Sequence, residues 1–317
     1  MRIDVLLGDA LPTPAEVAGK VVVVIDVLRA ATTVVTALAN GARAVIPFDS
    51  VDEPTMFAKQ YERQEIRLAG ERKMLRIAGF DLGNSPAEYT PTAVKGRTIL
   101  YSTTNGTVAL LATIGARACF FGAFINCAAT VAAVRAATKS DGDVLIVCAG
   151  HEKRATLEDI TCAGRVARGI ARGRTAIVWG DGARSAALIE RRFVADMSRL
   201  VSEATHARSL AAAGFADDVQ TCFSLDTQPL VVSFHERQLR RHDDGVAGSA
   251  KAGSTNAGST NAGSTNAGSA NAGSANAGSA NAGSANAGSA NAGSANAGVS
   301  VAGAPSEIAA AATKLSH

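Results

Sequence analysis

Val21-Val22-Val23-Val24-Ile25 is an unbroken β-branched run, and such a run suits a strand buried on both faces, the mark of a parallel sheet. It gives way to Asp26-Val27-Leu28-Arg29, so a carboxylate and a guanidinium emerge at the strand's carboxyl end. Residues 30 to 38 then read as a helix closed by Asn40-Gly41, and residues 44 to 48 as the return strand of a βαβ unit. The alternation continues with strands at 98–101, 118–121 and 144–148 and helices near 108–114, 128–138 and 157–170. This pattern predicts an α/β fold, layered around a largely parallel sheet and compatible with two lobes. Residues 183 to 213 look helical and charged, while 219–225 and 230–234 read as closing strands.

Composition bounds the folded part. Every Phe, Tyr, Trp and Cys precedes residue 235, which predicts that residues 1–240 hold the α/β core. From residue 252 to 296 the chain repeats Ala-Gly-Ser-Thr-Asn three times and Ala-Gly-Ser-Ala-Asn six times. With no large apolar side chain to bury, the low-complexity stretch 247–298 is expected to be a disordered tail, followed by a C-terminal segment at 299–317. Net charge is only +3, so the chain lacks the basic field that holds duplex nucleic acid. Its five cysteines form no CxxC pair, which fits a reducing, cytoplasmic setting. The amino terminus carries no signal-peptide pattern, and no apolar run approaches the roughly 20 residues of a membrane span. A small anionic substrate is therefore the expected partner, with no nucleic acid and no membrane; a homo-oligomer is left open.

Chemistry is expected in loops at strand carboxyl ends, where open α/β sheets form their crevices. Thr32 and Thr33 lie at the start of the helix after Asp26 and Arg29, a position that favours anions, and arginine can clamp oxyanions through two bonds. A capping Asp beside a surface Arg would explain the same residues. Gly70-Glu71-Arg72 and the segment Gly79-Phe80-Asp81-Leu82-Gly83-Asn84-Ser85-Pro86 concentrate carboxylate, amide and hydroxyl groups, as an anion and Mg²⁺ site requires. Ser102-Thr103-Thr104-Asn105-Gly106-Thr107 joins a strand to a helix but lacks the Lys of a nucleotide-binding P-loop. Glu158 and Asp159 open a helix after the strand ending at Cys148; they suit oxygen ligation of Mg²⁺, or simply the helix dipole. His151 is an acid or base candidate in the same loop. No Gly-x-Ser-x-Gly elbow and no HExxH motif occurs, and Asp26 lacks the Asp-x-Asp partner of haloacid dehalogenase-type phosphatases.

Taken in order, 23–33, Gly70-Glu71-Arg72, 79–86, 103–107, Cys148-Ala149-Gly150 and Leu157-Glu158-Asp159 resemble the signature segments of the 2-phosphosulfolactate phosphatases. The resemblance runs through residues 1 to 235. It implies Mg²⁺-dependent hydrolysis of (R)-2-phospho-3-sulfolactate to 3-sulfolactate and phosphate, a step in coenzyme M synthesis, on an α/β fold of the family's own type. Two departures stand out: Lys73-Met74 replaces an expected Gly, and the repeat tail has no counterpart. Assigned by charge, Glu71, Asp81, Glu158 and Asp159 are the Mg²⁺ ligand candidates. Arg29 and Arg72 would clamp the substrate's anionic groups, and Thr32, Asn84, Ser85, Thr104 and Asn105 would bind its oxygens. Asp26 is a ligand, a base or a nucleophile. A non-catalytic protein that binds an anionic metabolite, or a phosphatase for another 2-phospho-acid, would use the same pocket.

Overall fold

Strands fall where uninterrupted apolar runs meet on both faces. In the computed structural model, which describes residues 1–139 and 142–242, β1 (Arg2–Leu6), β2 (Val21–Ile25), β3 (Ala44–Phe48), β4 (Ile66–Arg72), β5 (Leu75–Arg76) and β6 (Thr98–Ser102) come first. β7 (Ala118–Gly122), β8 (Val144–Cys148), β9 (Val178–Trp179), β10 (Val232–His235) and β11 (Gln238–Arg241) follow. All five residues of β2, β3, β6 and β8 are buried, as expected of strands covered on both sides. The expectations for 247–298 and 299–317 lie outside the described residues.

One sheet holds these strands in the order β5-β4-β6-β3-β11-β10-β7-β2-β8-β1-β9. It contains two parallel blocks, β7-β2-β8-β1-β9 and β4-β6-β3. The antiparallel hairpin β10–β11 joins them, pairing with β7 on one side and β3 on the other. The α/β class with a largely parallel sheet is as the sequence predicts. The 21–48 segment does form strand, helix (Ala30–Ala39) and strand, yet β2 and β3 are not neighbours, because β3 pairs with β6 and β11. Local periodicity reports that a strand exists, whereas its neighbours are chosen by tertiary packing.

Two further differences have local causes. Residues 216–222 are a helix (Ala216–Cys222), not a strand: Val219 and Cys222 are buried one turn apart, with Asp217 and Asp218 in the first turn. β1 has no clear signal in the sequence; its half-buried alternation is too short to stand out, and it forms by pairing with β8 and β9. Helix Leu157–Ala171 packs tightly on helix Asp181–Phe193, where a Cβ on Gly164 would collide with the Ala186 carbonyl. The main core runs along β2, β7 and β8 with the inner faces of Ala30–Ala39 and Leu157–Ala171, and a smaller cluster of Ile46, Phe48, Ile66 and Leu100 forms on the β4-β6-β3 block. Each fully buried Val, Ile, Leu or Phe stabilises the fold by about 1.5–3 kcal/mol. Among the described residues no helix is long and apolar enough to cross a membrane.

Register sets the level of the rim. Ile25 lies opposite Gly122 on β7 and Cys148 on β8, so those three strands end together. On the other block Ser102 lies opposite Phe48 and Gly70. At Gly70, φ is +144°, and a Cβ would overlap the Ser102 carbonyl oxygen. Only glycine lets β4 pass that close to β6, and Glu71 follows directly.

Candidate active site

Loops from both parallel blocks meet above these strand ends. Asp26 follows β2, and its Oδ1 accepts a 2.9 Å bond from the Ala30 N–H. Asp159, in the first turn of helix Leu157–Ala171, accepts from the Val27 N–H at 2.8 Å and the Gly150 N–H at 3.0 Å, tying the β8 loop to the β2 loop. From the second block, Glu71 Oε1 accepts from both the N–H and the hydroxyl of Thr104 at 2.9 Å, and its Oε2 accepts from the Met74 N–H at 2.9 Å. The Glu152 N–H, donating 3.2 Å to Asn105 Oδ1, links the β8 loop to the β6 loop. Glu158 is 1% exposed; its Oε1 lies 3.1 Å from His206 Nδ1, and its buried Oε2 has no hydrogen-bond partner among the described residues. His206 stacks on His151 with ring centroids 4.1 Å apart.

Burial of this many acids has an electrostatic signature. Burial pushes the Asp26 carboxyl up to about 6, with Glu71 and Glu158 adding to the rise and the Ala30 N–H and His206 opposing it. Burial, then the charges of Asp26 and Glu158, holds Asp159 well above the usual carboxylate range, against its two backbone bonds. His151 is shifted down, chiefly by burial and then by His206. Four acids buried within reach of one another are costly without a neutralising cation or protons. Oxygen donors with a partnerless buried carboxylate oxygen are the chemistry of a hard divalent cation. Among the described residues no three His, Cys, Asp or Glu side chains already form a ligand cage. Mg²⁺ commonly takes only one or two carboxylates and completes its shell with water and substrate phosphate.

The remaining predicted residues divide. Asn105 and Thr104 lie at the rim as described, and Arg72 reaches Ser102 Oγ at 2.9 Å beside Glu71. Arg29 is 3% exposed and already occupied: it donates to Asp218 Oδ2 at 2.7 Å and to the Met74 carbonyl at 2.8 Å, and lies over the Phe215 ring. Ser85 donates to the other oxygen of Asp218 at 2.6 Å. Asn84 accepts from the Tyr101 hydroxyl, and the buried Thr32 hydroxyl donates to the Val27 carbonyl at 2.9 Å. Asp81 is engaged elsewhere: its carboxylate pairs with Arg63 and accepts from the Leu68 N–H near the start of β4, whereas Glu71 lies near that strand's end. The five cysteines are free and buried, and burial pushes Cys119 up to about 12.

Three contributors escaped sequence reading. His206 and Asp218 come from helices Thr205–Leu210 and Ala216–Cys222, whose polar residues look solvated in one dimension. Gly106 reads in sequence as part of a turn, yet a Cβ there would lie 2.7 Å from Ala30 Cβ and closer still to Asp26 Oδ2. The signal for Asp218 is its place beside apolar Val219 in a helix's first turn; no local pattern marks His206.

Comparison with known proteins covers this whole region. The sequence profile of the 2-phosphosulpholactate phosphatase family matches residues 9–237. The chain is 38% identical over 229 residues to a probable 2-phosphosulfolactate phosphatase of Symbiobacterium thermophilum, a match covering 72% of this chain and 97% of that protein. A probable 2-phosphosulfolactate phosphatase of Pseudothermotoga lettingae is 39% identical over 235 residues, covering 74% and 96%. One from Caldanaerobacter subterraneus is 36% identical over 225 residues, covering 71% and 92%. A pentapeptide-repeat profile matches residues 245–279 and 265–304. With its rim of buried acids built from the segments that these relatives span, the chain belongs to the 2-phosphosulfolactate phosphatase family.

Proposed function

We propose that this chain hydrolyses (R)-2-phospho-3-sulfolactate to 3-sulfolactate and phosphate, with Mg²⁺ held at the rim by Glu158, Glu71 and Asp159, as a step of coenzyme M synthesis. The observation that carries the metal assignment is the buried, partnerless Oε2 of Glu158 among three further acids. Bound Mg²⁺ supplies neutralisation of phosphoryl charge. The protein's own groups do the rest. Asp26 Oδ2 carries no hydrogen bond among the described residues; it takes the proton from the attacking water while Oδ1 stays fixed by Ala30. Arg72, Thr104 and Asn105 bind the substrate's anionic oxygens at the rim. Arg29, pinned by Asp218 and the Met74 carbonyl, keeps the β2 loop in place. Asp81 is left out of the ligand set because Arg63 and Leu68 use both its oxygens.

Phosphate release from a panel of 2-phospho-acids tests this, run with Mg²⁺ and with excess EDTA. The expected result is fastest release from 2-phospho-3-sulfolactate and none in EDTA. Full turnover in EDTA would remove the metal, faster release from another panel member would change the substrate, and no release from any member would leave a binding protein.

A further inference from the structure

Away from the rim, a cleft of about 1040 Å³ runs along the outer faces of helices Cys127–Ala137, Leu157–Ala171 and Asp181–Phe193. Arg165, Arg168 and Arg172 are spaced three and four residues apart, and so occupy one face of helix Leu157–Ala171 and its end. Arg184, Leu188 and Arg191 do the same on helix Asp181–Phe193. The close approach at Gly164 and Ala186 fixes the two rows against each other. Trp179, the chain's one tryptophan, lines the same cleft from β9 at the sheet edge.

The charge is only partly neutralised. Glu190, 3% exposed, pairs with Arg168 and lies 3.8 Å from Arg165. Arg172, Arg184 and Arg191 are exposed, and none makes an ion pair among the described residues. Asp226, the other acid in the cleft, accepts from the Ala128 N–H at 2.6 Å. Helix dipoles favour Arg168 and Arg191, which lie in the last turns of their helices, and Arg172 at a helix end, but they do not account for Arg184. Arg184 lies in the first turn of its helix, where a cation is disfavoured. The carbonyls of Gly169, Ile170 and Arg172, at the end of helix Leu157–Ala171, are already taken by the Arg135 guanidinium.

We propose that this cleft binds a small oligoanion carrying at least two phosphate or sulfonate groups, at a site separate from the hydrolytic rim. Planar guanidiniums matched to oxyanions give the affinity, and a volume near the upper end of small-molecule sites gives the room. Neither the identity of the substrate nor the role of Asp26 enters this assignment.

Tryptophan fluorescence of the full chain reads the cleft directly, with tripolyphosphate as probe. The expected result is a saturable change in Trp179 emission that NaCl of equal ionic strength does not reproduce. Arg184→Ala combined with Arg191→Ala should raise the half-saturation concentration at least tenfold. Asp26→Asn should leave it unchanged. The proposal is overturned by no saturable response, by a response matched by NaCl, or by one indifferent to the arginine substitutions in a protein with wild-type circular dichroism. It is overturned too by light scattering that shows a dimer converted to monomer by Leu188→Glu, since a second copy would then fill the cleft.

Discussion

Gly106→Ala tests the assignment of Asp26 without touching a polar group. Gly106 begins a helix (Gly106–Leu111) with ordinary torsions, so alanine is not excluded by the backbone. The difficulty is steric: the new Cβ would lie 2.7 Å from Ala30 Cβ, 3.3 Å from Asp26 Cγ and nearer still to Asp26 Oδ2. Contacts under 3.0 Å require movement: the Asp26 carboxylate swings aside, and because Ala30 is fixed in helix Ala30–Ala39 its 2.7 Å contact is relieved by a shift of the residue 106 backbone. Overpacking of this kind costs about 1–3 kcal/mol. Replacing glycine in a helix returns roughly 0.4–1 kcal/mol by restricting the unfolded chain. The net runs from near zero to a loss of about 2.6 kcal/mol, or a Tm lower by up to about 10 °C for a domain of this size. Activity should suffer more, because displacing a reacting group by about 1 Å costs on the order of 100-fold. Phosphate release at saturating substrate, beside thermal unfolding by circular dichroism, separates the two effects. Wild-type kcat in a protein with a Tm in this range would show that the Asp26 carboxylate can move freely, and so does no chemistry.

Asp26→Asn keeps the acceptor for Ala30 while removing a charge that burial and Glu71 oppose; kcat should fall at least ~100-fold with stability held or slightly raised, and a folded variant with near-normal phosphate release would defeat the base assignment. Asp218→Ala leaves the buried Arg29 guanidinium without its 2.7 Å partner, so denaturant unfolding should show a loss of about 3–5 kcal/mol; a change under 1 kcal/mol would mean that the Met74 carbonyl and Phe215 hold Arg29 alone. Deleting residues 249–317 should leave phosphate release unchanged, since a match to 72% of this chain covers 97% of the Symbiobacterium protein; a soluble but inactive truncation would assign the tail a part in turnover.

Much of this was legible because burial on both faces writes itself into sequence. β2 and β8 fall at their expected bounds, and the polar loops after β2, β6 and β8 are the ones that meet, whereas Glu71, expected in a loop, comes from the end of strand β4. Residues that act through long-range pairing were not legible. Arg29 reads as a substrate clamp until Asp218, 189 residues away, is seen to hold it. Asp81 reads like any other acid in a polar loop, and only the approach of Arg63 shows that its charge is used. Likewise, nothing between residues 21 and 48 announces that β7, β10 and β11 will come between β2 and β3, because neighbour choice depends on surfaces the intervening chain has yet to supply.

The hairpin β10–β11 has a consequence for how the chain is made. It is the last paired element of the sheet and the only bridge between β7 and β3 among the described residues. While the protein is being synthesised from its amino terminus, both parallel blocks can assemble before residues 232–241 leave the ribosome. Until then β3 and β7 each present an open edge of unpaired N–H and C=O groups, the kind of surface on which nascent chains stick to one another. A chain interrupted before residue 241 therefore leaves two half-sheets with exposed edges, and substitutions that weaken this hairpin should reduce soluble yield well before they alter the rim.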